Sequence, residues 1–401
     1  MSGKIVLAYS GGLDTSVAVQ YLTREYGYDV VTCTVDVGNE KDFTVIRDKA
    51  LKVGAEKAIV IDAKETLVND YIFPALRANA LYEGKYPLAT ALTRPLIAKL
   101  LVDTAHQENA VAVAHGCTGK GNDQVRIEVG VNTLGPELMV IAPAREWGMT
   151  REELIDYADQ RGIPVPVTKK SIYSIDESLW GRAIECGILE DPWAEPPEDA
   201  FKWTVSVDAA PDKAEYLEIG FYEGTPITLN GEELGGVTLI DRANELAGRH
   251  GVGRIDMIED RRVGIKSREV YEAPAALLLT AAHQGLESLV MSREQIRFGQ
   301  IVSQEYANLV YDGLWFGGLH RDLTAYINSS QRYVSGLVRV KLHKGNATVV
   351  GLKSPFSLYD YGLATYDKND SFDQSHAAGF IHLWGLGAKV QGRVQKERDS
   401  A

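Results

Sequence analysis

The chain is 401 residues long, 45% hydrophobic and 24% charged, which suits two or three well-packed domains and excludes a chain dominated by disorder. A net charge of −13 argues against nucleic acid as a partner, since that needs a basic face. Cys33, Cys117 and Cys186 are too few and too scattered for a disulfide framework or a zinc site, no run approaches the roughly 20 apolar residues of a membrane helix, and the apolar start is too short for a signal peptide, so a cytoplasmic protein without membrane contact is expected.

Residues 4–9, KIVLAY, have the length and apolarity of a strand buried on both faces of a parallel sheet. The run stops at Ser10-Gly11-Gly12, and residues 16–22 read as a helix. Adjacent glycines let the backbone turn sharply beside a ligand, the helix start offers free N–H groups and the positive end of its dipole, and Ser10, Thr15 and Ser16 add hydroxyls. That is an anion site, with phosphate the expected guest. The plainer alternative is an ordinary turn in which Asp14 or Thr15 only caps the helix. Neither common phosphate loop is present, because GxxxxGK[ST] needs a lysine near Thr15 and GxGxxG a glycine at Leu13.

Strand-like runs at 29–37, 58–61, 110–114 and 139–142 alternate with helical patterns, among them Phe43, Ile46, Ala50 and Val53, a helix from Pro95 to about residue 107, and a capping box at Thr150 to Glu153. This is the α/β signature of a doubly wound parallel-sheet nucleotide-binding domain. The proline-stiffened stretch 162–167 is the boundary candidate, giving domains at 1–166, 167–361 and 362–401. In the second, an α+β domain, a strand at 216–221, a hairpin signal at Asn230-Gly231, helices at 239–247, 275–290 and 293–311, and a hairpin pairing 338–342 with 347–350 through 344–346 are predicted. The C-terminal helical tail carries Phe380, Ile381, Trp384 and Leu386, an apolar cluster suited to docking on a neighbouring subunit.

Ligands of doubly wound sheets gather at the carboxyl ends of the strands. The loop after the 110–114 strand holds three glycines, Lys120 for phosphate charge, and Thr118, Asn122, Asp123 and Arg126 as convergent polar groups. The alternative is a solvated loop capped by Asn122 or Asp123 before a short helix. His115, alone at a strand end, reads as a satisfied core group. Asp14 and Asp123 are acidic candidates for proton or metal work, or simple caps.

The segment SGGLDTS resembles the pyrophosphate loop of ligases that split ATP between its α- and β-phosphates. With AHGCTGKGNDQVR, LEDPWAEPP, RHGVGR and KSREVYEAP in order, the chain is similar to the argininosuccinate synthase family over nearly its whole length. The resemblance implies that ATP is bound by Ala8, Tyr9, Ser10, Gly11, Gly12, Leu13, Asp14, Thr15, Ser16, Val35 and Gly116. It implies aspartate binding by Thr118, Asn122 and Asp123, and citrulline binding by Tyr86, Asn122, Arg126, Ser174, Glu259 and Tyr271, with the site closing between domains. It also implies Mg²⁺ on the departing pyrophosphate, no protein-held metal, and a homotetramer with the tail in its interface. A ureido oxygen is a weak leaving group, so the implied chemistry first makes it an adenylate, which the aspartate amine then displaces. Lys120 and the glycine loop would stabilise the departing charge.

Two positions depart from the family pattern. The chain has Thr90-Ala91 where a serine commonly follows threonine, and Ala183 where a second serine commonly stands. Each loses a hydroxyl expected to face citrulline. Two other readings compete. A different ATP-pyrophosphatase, amide-forming or tRNA-thiolating, would need a glutaminase motif, or a reactive cysteine system and a basic surface. A nucleotide-sensing domain with an oligomerisation module would leave Arg126, Glu259 and Tyr271 without work.

Overall fold

The computed structural model describes residues 3–39, 41–164 and 173–399. The chain opens with β1 (Lys4–Ala8), α1 (Leu13–Tyr26), β2 (Asp29–Asp36), α2 (Phe43–Val53) and β3 (Lys57–Asp62). After short helical turns between residues 64 and 77 come α3 (Thr93–Glu108), β4 (Ala112–Ala114), α4 (Asp123–Leu134), β5 (Met139–Ile141) and α5 (Arg151–Gln160). The five strands form one parallel sheet in the order β3-β2-β1-β4-β5.

Alternating side chains of β1 serve opposite faces. Ile5 and Leu7 pack with Val17, Leu22, Ala50 and Leu154 of α1, α2 and α5, while Val6 packs with Ala98, Leu101, Ile127 and Val131 of α3 and α4. The chain passes from β1 outward to β2 and β3, then returns to β4 on the other flank of β1. The crevice at this reversal is bordered by the loops after β1 and β4.

The doubly wound expectation holds, with shifted boundaries. Helix α1 begins at Leu13 rather than 16, because Gly12 is its extended N-cap and Ser16 N already bonds Gly12 O at 3.1 Å. The expected strand at 110–114 is paired over Ala112–Ala114, and the expected helix from Pro95 starts at Thr93. The capping box at Thr150 and Glu153 is present. The expected boundary at residue 166 lies outside the described residues.

Downstream follow β6 (Ser174–Ser178), β7 (Gly181–Glu185), β8 (Glu215–Tyr222), β9 (Thr225–Leu229), β10 (Glu232–Glu233), α6 (Gly236–Arg249), β11 (Arg254–Asp260) and β12 (Lys266–Glu272). Then come α7 (Pro274–Val290), α8 (Arg293–Tyr311), α9 (Gly318–Ser330), β13 (Gly336–His343) and β14 (Asn346–Lys353). Two sheets result, ordered β10-β9-β8-β13-β14 and β11-β12-β7-β6. Helix α7, with Ala275, Leu278, Leu279, Ala282 and Leu286 free of solvent, is the apolar axis of this region. Both expected hairpins form, the first turning at Asn230-Gly231 between β9 and the two-residue β10, the second at Lys344-Gly345. Helix α9 and the whole four-stranded sheet were not anticipated.

Residues up to Phe356 form one compact unit and those from Ser357 a second. The second contains α10 (Ser375–Trp384), where the Phe380 and Trp384 rings stack at 5.6 Å and no residue is buried, and α11 (Leu386–Asp399).

Candidate active site

At the end of β1 the backbone turns through Gly11, whose φ of +77° is unfavourable for a side chain bearing Cβ. A helix starting at Leu13 leaves the amides of Leu13, Asp14 and Thr15 with no intrahelical acceptor. The N-cap position belongs to Gly12, which carries no side chain, so neither Asp14 nor Thr15 is the N-cap residue that the plainer alternative called for. The hydroxyls brace the turn instead: Ser10 Oγ and Thr15 Oγ1 lie 3.2 Å apart, Gly12 N donates to Ser10 Oγ at 3.3 Å, and Ser16 Oγ meets Tyr9 OH at 3.1 Å. Lys49 of α2 donates to Gly11 O at 2.6 Å and clamps the turn from outside. Burial raises the Asp14 carboxyl above its ordinary value, with its own backbone N–H and Arg151 opposing. Ala8 and Val35 sit at or next to the carboxyl ends of β1 and β2, beside this turn.

The loop after β4 comes against the same helix start. A Cβ on Gly116 would lie 3.0 Å from Thr15 Cγ2, so only glycine permits this approach without the neighbour giving way. His115 is the satisfied core group expected. Its Nδ1 accepts from Cys117 N at 3.2 Å, which leaves Nε2 to donate to Glu128 Oε1 at 3.0 Å. Arg145 Nη1 meets the same Glu128 oxygen at 2.6 Å. Thr118 and Lys120 are exposed at the loop's crest.

The loop then dives into a buried polar cluster. Asn122 is the N-cap residue of α4 by position, yet its side chain does not cap. Its Nδ2 donates to Tyr311 OH at 2.7 Å and its Oδ1 accepts from Arg262 N at 2.8 Å. Nor is the helix short; it runs twelve residues. Tyr311 OH donates to Glu259 Oε1, and Tyr271 OH donates to Glu259 Oε2 at 2.6 Å. Burial raises the Glu259 carboxyl above its ordinary value, and the two phenol donors oppose the rise.

Beside them Asp123 accepts from Arg126 Nη1 at 3.0 Å and from Arg94 Nη2 at 2.6 Å, and Arg94 reaches on to Asp176. Burial disfavours the Asp123 carboxylate, but the two guanidiniums outweigh it and hold the group well below the usual range. A carboxylate so committed is a charged anchor, and proton transfer or metal ligation by Asp123 does not fit.

The four-stranded sheet supplies the cluster's floor. In register across it stand Asp176, Ala183, Tyr271 and Ile255, so these share one face. The segment between residues 82 and 91 lies on that face: Ser178 Oγ donates to Ala89 O at 3.1 Å, and the Tyr86 ring stacks on Tyr271 at 4.3 Å. The Tyr86 phenol, pushed up to about 12 by burial, receives Thr90 N at 3.0 Å and Ala91 N at 3.3 Å, with Thr90 Oγ1 also 3.0 Å away. The Thr90 hydroxyl is thus engaged with Tyr86, and fully buried Ala91 leaves no orphaned polar atom of its own side chain.

Of the expected citrulline residues the structure joins Tyr86, Asn122, Arg126, Glu259 and Tyr271 in one cluster. Ser174 is exposed on β6 opposite Glu185, outside the hydrogen-bonded group. Sequence reasoning missed Arg94, Asp176, Tyr311, and Arg261, which pairs with both Glu185 at 2.9 Å and Glu269 at 2.7 Å. Each is recruited from a distant stretch, and no local motif marks any of them.

Two halves of the chain match family descriptions that agree with this geometry. Residues 4–164 match the arginosuccinate synthase N-terminal HUP domain and residues 173–391 the arginosuccinate synthase C-terminal domain. The chain belongs to the argininosuccinate synthase family. The argininosuccinate synthase of Dehalococcoides mccartyi strain 195 is 61% identical over 98% of this chain and 97% of its own. Those of Symbiobacterium thermophilum and Gloeobacter violaceus are 59% and 57% identical, each over 98% of this chain and 99% of their own. Members of the argininosuccinate synthase family are ligases of arginine biosynthesis that use ATP as a substrate. The N-terminal match agrees with the parallel sheet found here. Among the described residues no helix is long and apolar enough to cross a membrane.

Proposed function

We propose that the crevice binds ATP over residues 8–16, Val35 and Gly116, and joins L-citrulline to L-aspartate through a citrulline adenylate. The observation that carries this reading is the single loop after β4. At Gly116 it touches the start of α1, and six residues later Asn122 enters the Glu259 cluster. One short segment therefore spans the distance from a phosphate site to a buried set of amino-acid-binding groups.

The free amides of α1 suit the β- and γ-phosphates, with exposed Lys120 adding charge as pyrophosphate departs. Mg²⁺ would ride on the nucleotide's own phosphate oxygens, with Asp14 as the acidic group of the turn, since a cation there would favour its ionised form. That ion would neutralise charge on the leaving pyrophosphate.

Glu259, Tyr271, Tyr86, Asn122 and Arg126 would hold citrulline with its ureido oxygen toward the α-phosphorus. The oxygen attacks, the bond to the bridging oxygen breaks, and pyrophosphate leaves. The aspartate amine, presented by Thr118, Asn122 and Asp123, then adds to the ureido carbon, loses a proton, and expels AMP. In this reading the protein's work is orientation and exclusion of water. Ser174 would contribute at the rim. Ala91 and Ala183 leave Thr90 and Tyr86 to define that wall.

We also infer a nucleotide-binding domain at 1–166, a synthetase domain at 167–361 and a tail at 362–401 that joins copies of the chain into a homotetramer. The exposed aromatic face of α10 supports the last point. A cytoplasmic setting suits the three free cysteines.

The test is steady-state pyrophosphate release with citrulline labelled at the ureido oxygen with ¹⁸O. Release should require both amino acids, and the label should emerge in AMP. Turnover with either amino acid alone, or unlabelled AMP, would refute the reading.

A further inference from the structure

We propose that Tyr311, the last residue of α8, is a positioning residue that sets the orientation of Asn122, Arg126 and Glu259 toward the ureido amino acid. The inference rests on the assignment of those three groups to citrulline made above. No motif announces Tyr311, and it lies 185 and 189 positions from two of the groups it contacts.

The argument is one of hydrogen-bond capacity. A phenol has one proton to donate. Tyr311 gives it to Glu259 Oε1, so its oxygen can only accept from Asn122. Asn122 must therefore turn its NH₂ toward Tyr311, and its Oδ1 toward Arg262 N, where a donor waits at 2.8 Å. The phenol proton thus selects which way round the amide sits. A carboxamide fixed in this way can offer its second N–H to a ligand.

The same residue holds the arginine by its backbone. Tyr311 O accepts from Arg126 Nε at 2.9 Å, and the Arg126 guanidinium lies 4.7 Å from the centroid of the Tyr311 ring. With Nε engaged there and Nη1 on Asp123, the fork of Arg126 is locked in its plane. The Tyr82 ring stacks on Tyr311 at 3.5 Å and keeps it from swinging. Nothing in this arrangement requires Tyr311 to touch the substrate. It over-determines the geometry of three groups that do.

Glu259 is the group most sensitive to the loss. Tyr271 and Glu269 of β12, Tyr311 of α8, Tyr82 and Tyr86 of the segment before α3, and Arg126 of α4 surround it. Tyr271 and Tyr311 are the two phenols that donate to it. Removing one leaves a buried carboxylate half satisfied and favours its protonated form.

The experiment compares wild type with Tyr311→Phe, which keeps the ring stack and the backbone acceptor and deletes only the hydroxyl. The KM for citrulline should rise about 10- to 100-fold while the KM for ATP stays within about twofold, in keeping with loss of hydrogen bonds at one substrate. The acid limb of kcat/KM for citrulline should move to higher pH. In the Glu259→Gln background, Tyr311→Phe should cost much less than it does alone, because its main client is gone.

Equal changes in both KM values, an unmoved acid limb, or full additivity of the two substitutions would overturn the positioning role. If Tyr311→Phe does not fold, Tyr82→Leu, which removes the supporting stack together with the Tyr82 hydroxyl's bond to Asp260 O, should raise the citrulline KM selectively while Tyr82→Phe, which loses that bond alone, should not, and an unchanged value for Tyr82→Leu would count against the proposal. Failure of wild-type turnover to depend on citrulline would refute the assigned reaction instead, so the two failures are told apart.

Discussion

The turn after β1 and the cluster around Glu259, the two halves of the proposed site, have opposite constructions. The turn presents main-chain amides and is braced by short local contacts within residues 9–16, with Lys49 as its outer clamp. The cluster presents side chains, each already hydrogen-bonded, drawn from α3, α4, α8, β11 and β12. A phosphate can be held by any backbone with the right curvature, whereas discriminating one amino acid from another needs buried groups whose partners are all specified. The first device tolerates side-chain change and the second does not.

The largest expected break falls on the cluster. Arg126→Ala removes one of two cations from Asp123 and a donor from Tyr311 O, and breaking a buried ion pair costs about 3–5 kcal/mol. The fall in kcat/KM for citrulline and aspartate should be about 10²- to 10⁴-fold by initial rates, with the KM for ATP far less affected. A uniform loss across all three substrates would erase the contrast drawn between the two sites.

A pH titration of stability gives the baseline against which either site must be read. His320 of α9 is buried against Tyr306 and Trp315, its Nε2 has no partner, and burial draws its pKa down to about 4. The unfolded chain binds this proton near pH 6.5 and the folded chain does not. The stability is therefore present above pH 6.5 and is lost as pH falls toward 4, by about 3 kcal/mol. Urea unfolding at pH 7 and pH 4.5 should show this loss, and His320→Phe should lessen it.

On the nucleotide side, Gly116→Val would press a branched side chain onto Thr15 at a place where even a Cβ sits at 3.0 Å. Overpacking of about 1–3 kcal/mol should raise the KM for ATP roughly 10- to 100-fold with citrulline spared, the mirror image of Tyr311→Phe. The smallest effect is expected for Asp14→Asn. A carboxyl raised by burial supports folding below the ordinary carboxylate range and loses that support as pH rises through its shifted value. Asp14→Asn should thus raise the melting temperature of the ligand-free protein at pH 7 but not at pH 4, read by calorimetry, while weakening ATP binding. No difference between the two pH values would mean that the turn does not strain its own carboxylate.

Legibility in the sequence followed the same divide. The turn after β1 could be read because its chemistry is contiguous: strand, glycines, hydroxyls and helix start lie within residues 4–16. The parallel sheet was equally visible, since strands buried on both faces are continuous apolar runs. The four-stranded sheet was not. Strand β11, RIDMIED, alternates buried and exposed positions, but one buried position is Glu259, and β6 and β12 carry Asp176, Glu177, Glu269 and Glu272. A sheet whose inner face lines a polar site lacks the hydrophobic alternation by which strands are recognised.

By itself the sequence determined the parallel-sheet domain, the family motifs, and the identity of Asn122, Arg126, Glu259 and Tyr271 as groups worth placing. Tertiary structure alone decided that Asn122 bonds Tyr311 rather than capping α4, that Asp123 is locked between Arg94 and Arg126, and that Ser174 stands apart on an edge strand. The reason is physical. Backbone curvature and apolar periodicity are written in neighbouring residues, whereas a hydrogen-bond partner for a buried polar group comes from whatever the fold brings within 3 Å, for Asn122 across 189 positions of chain.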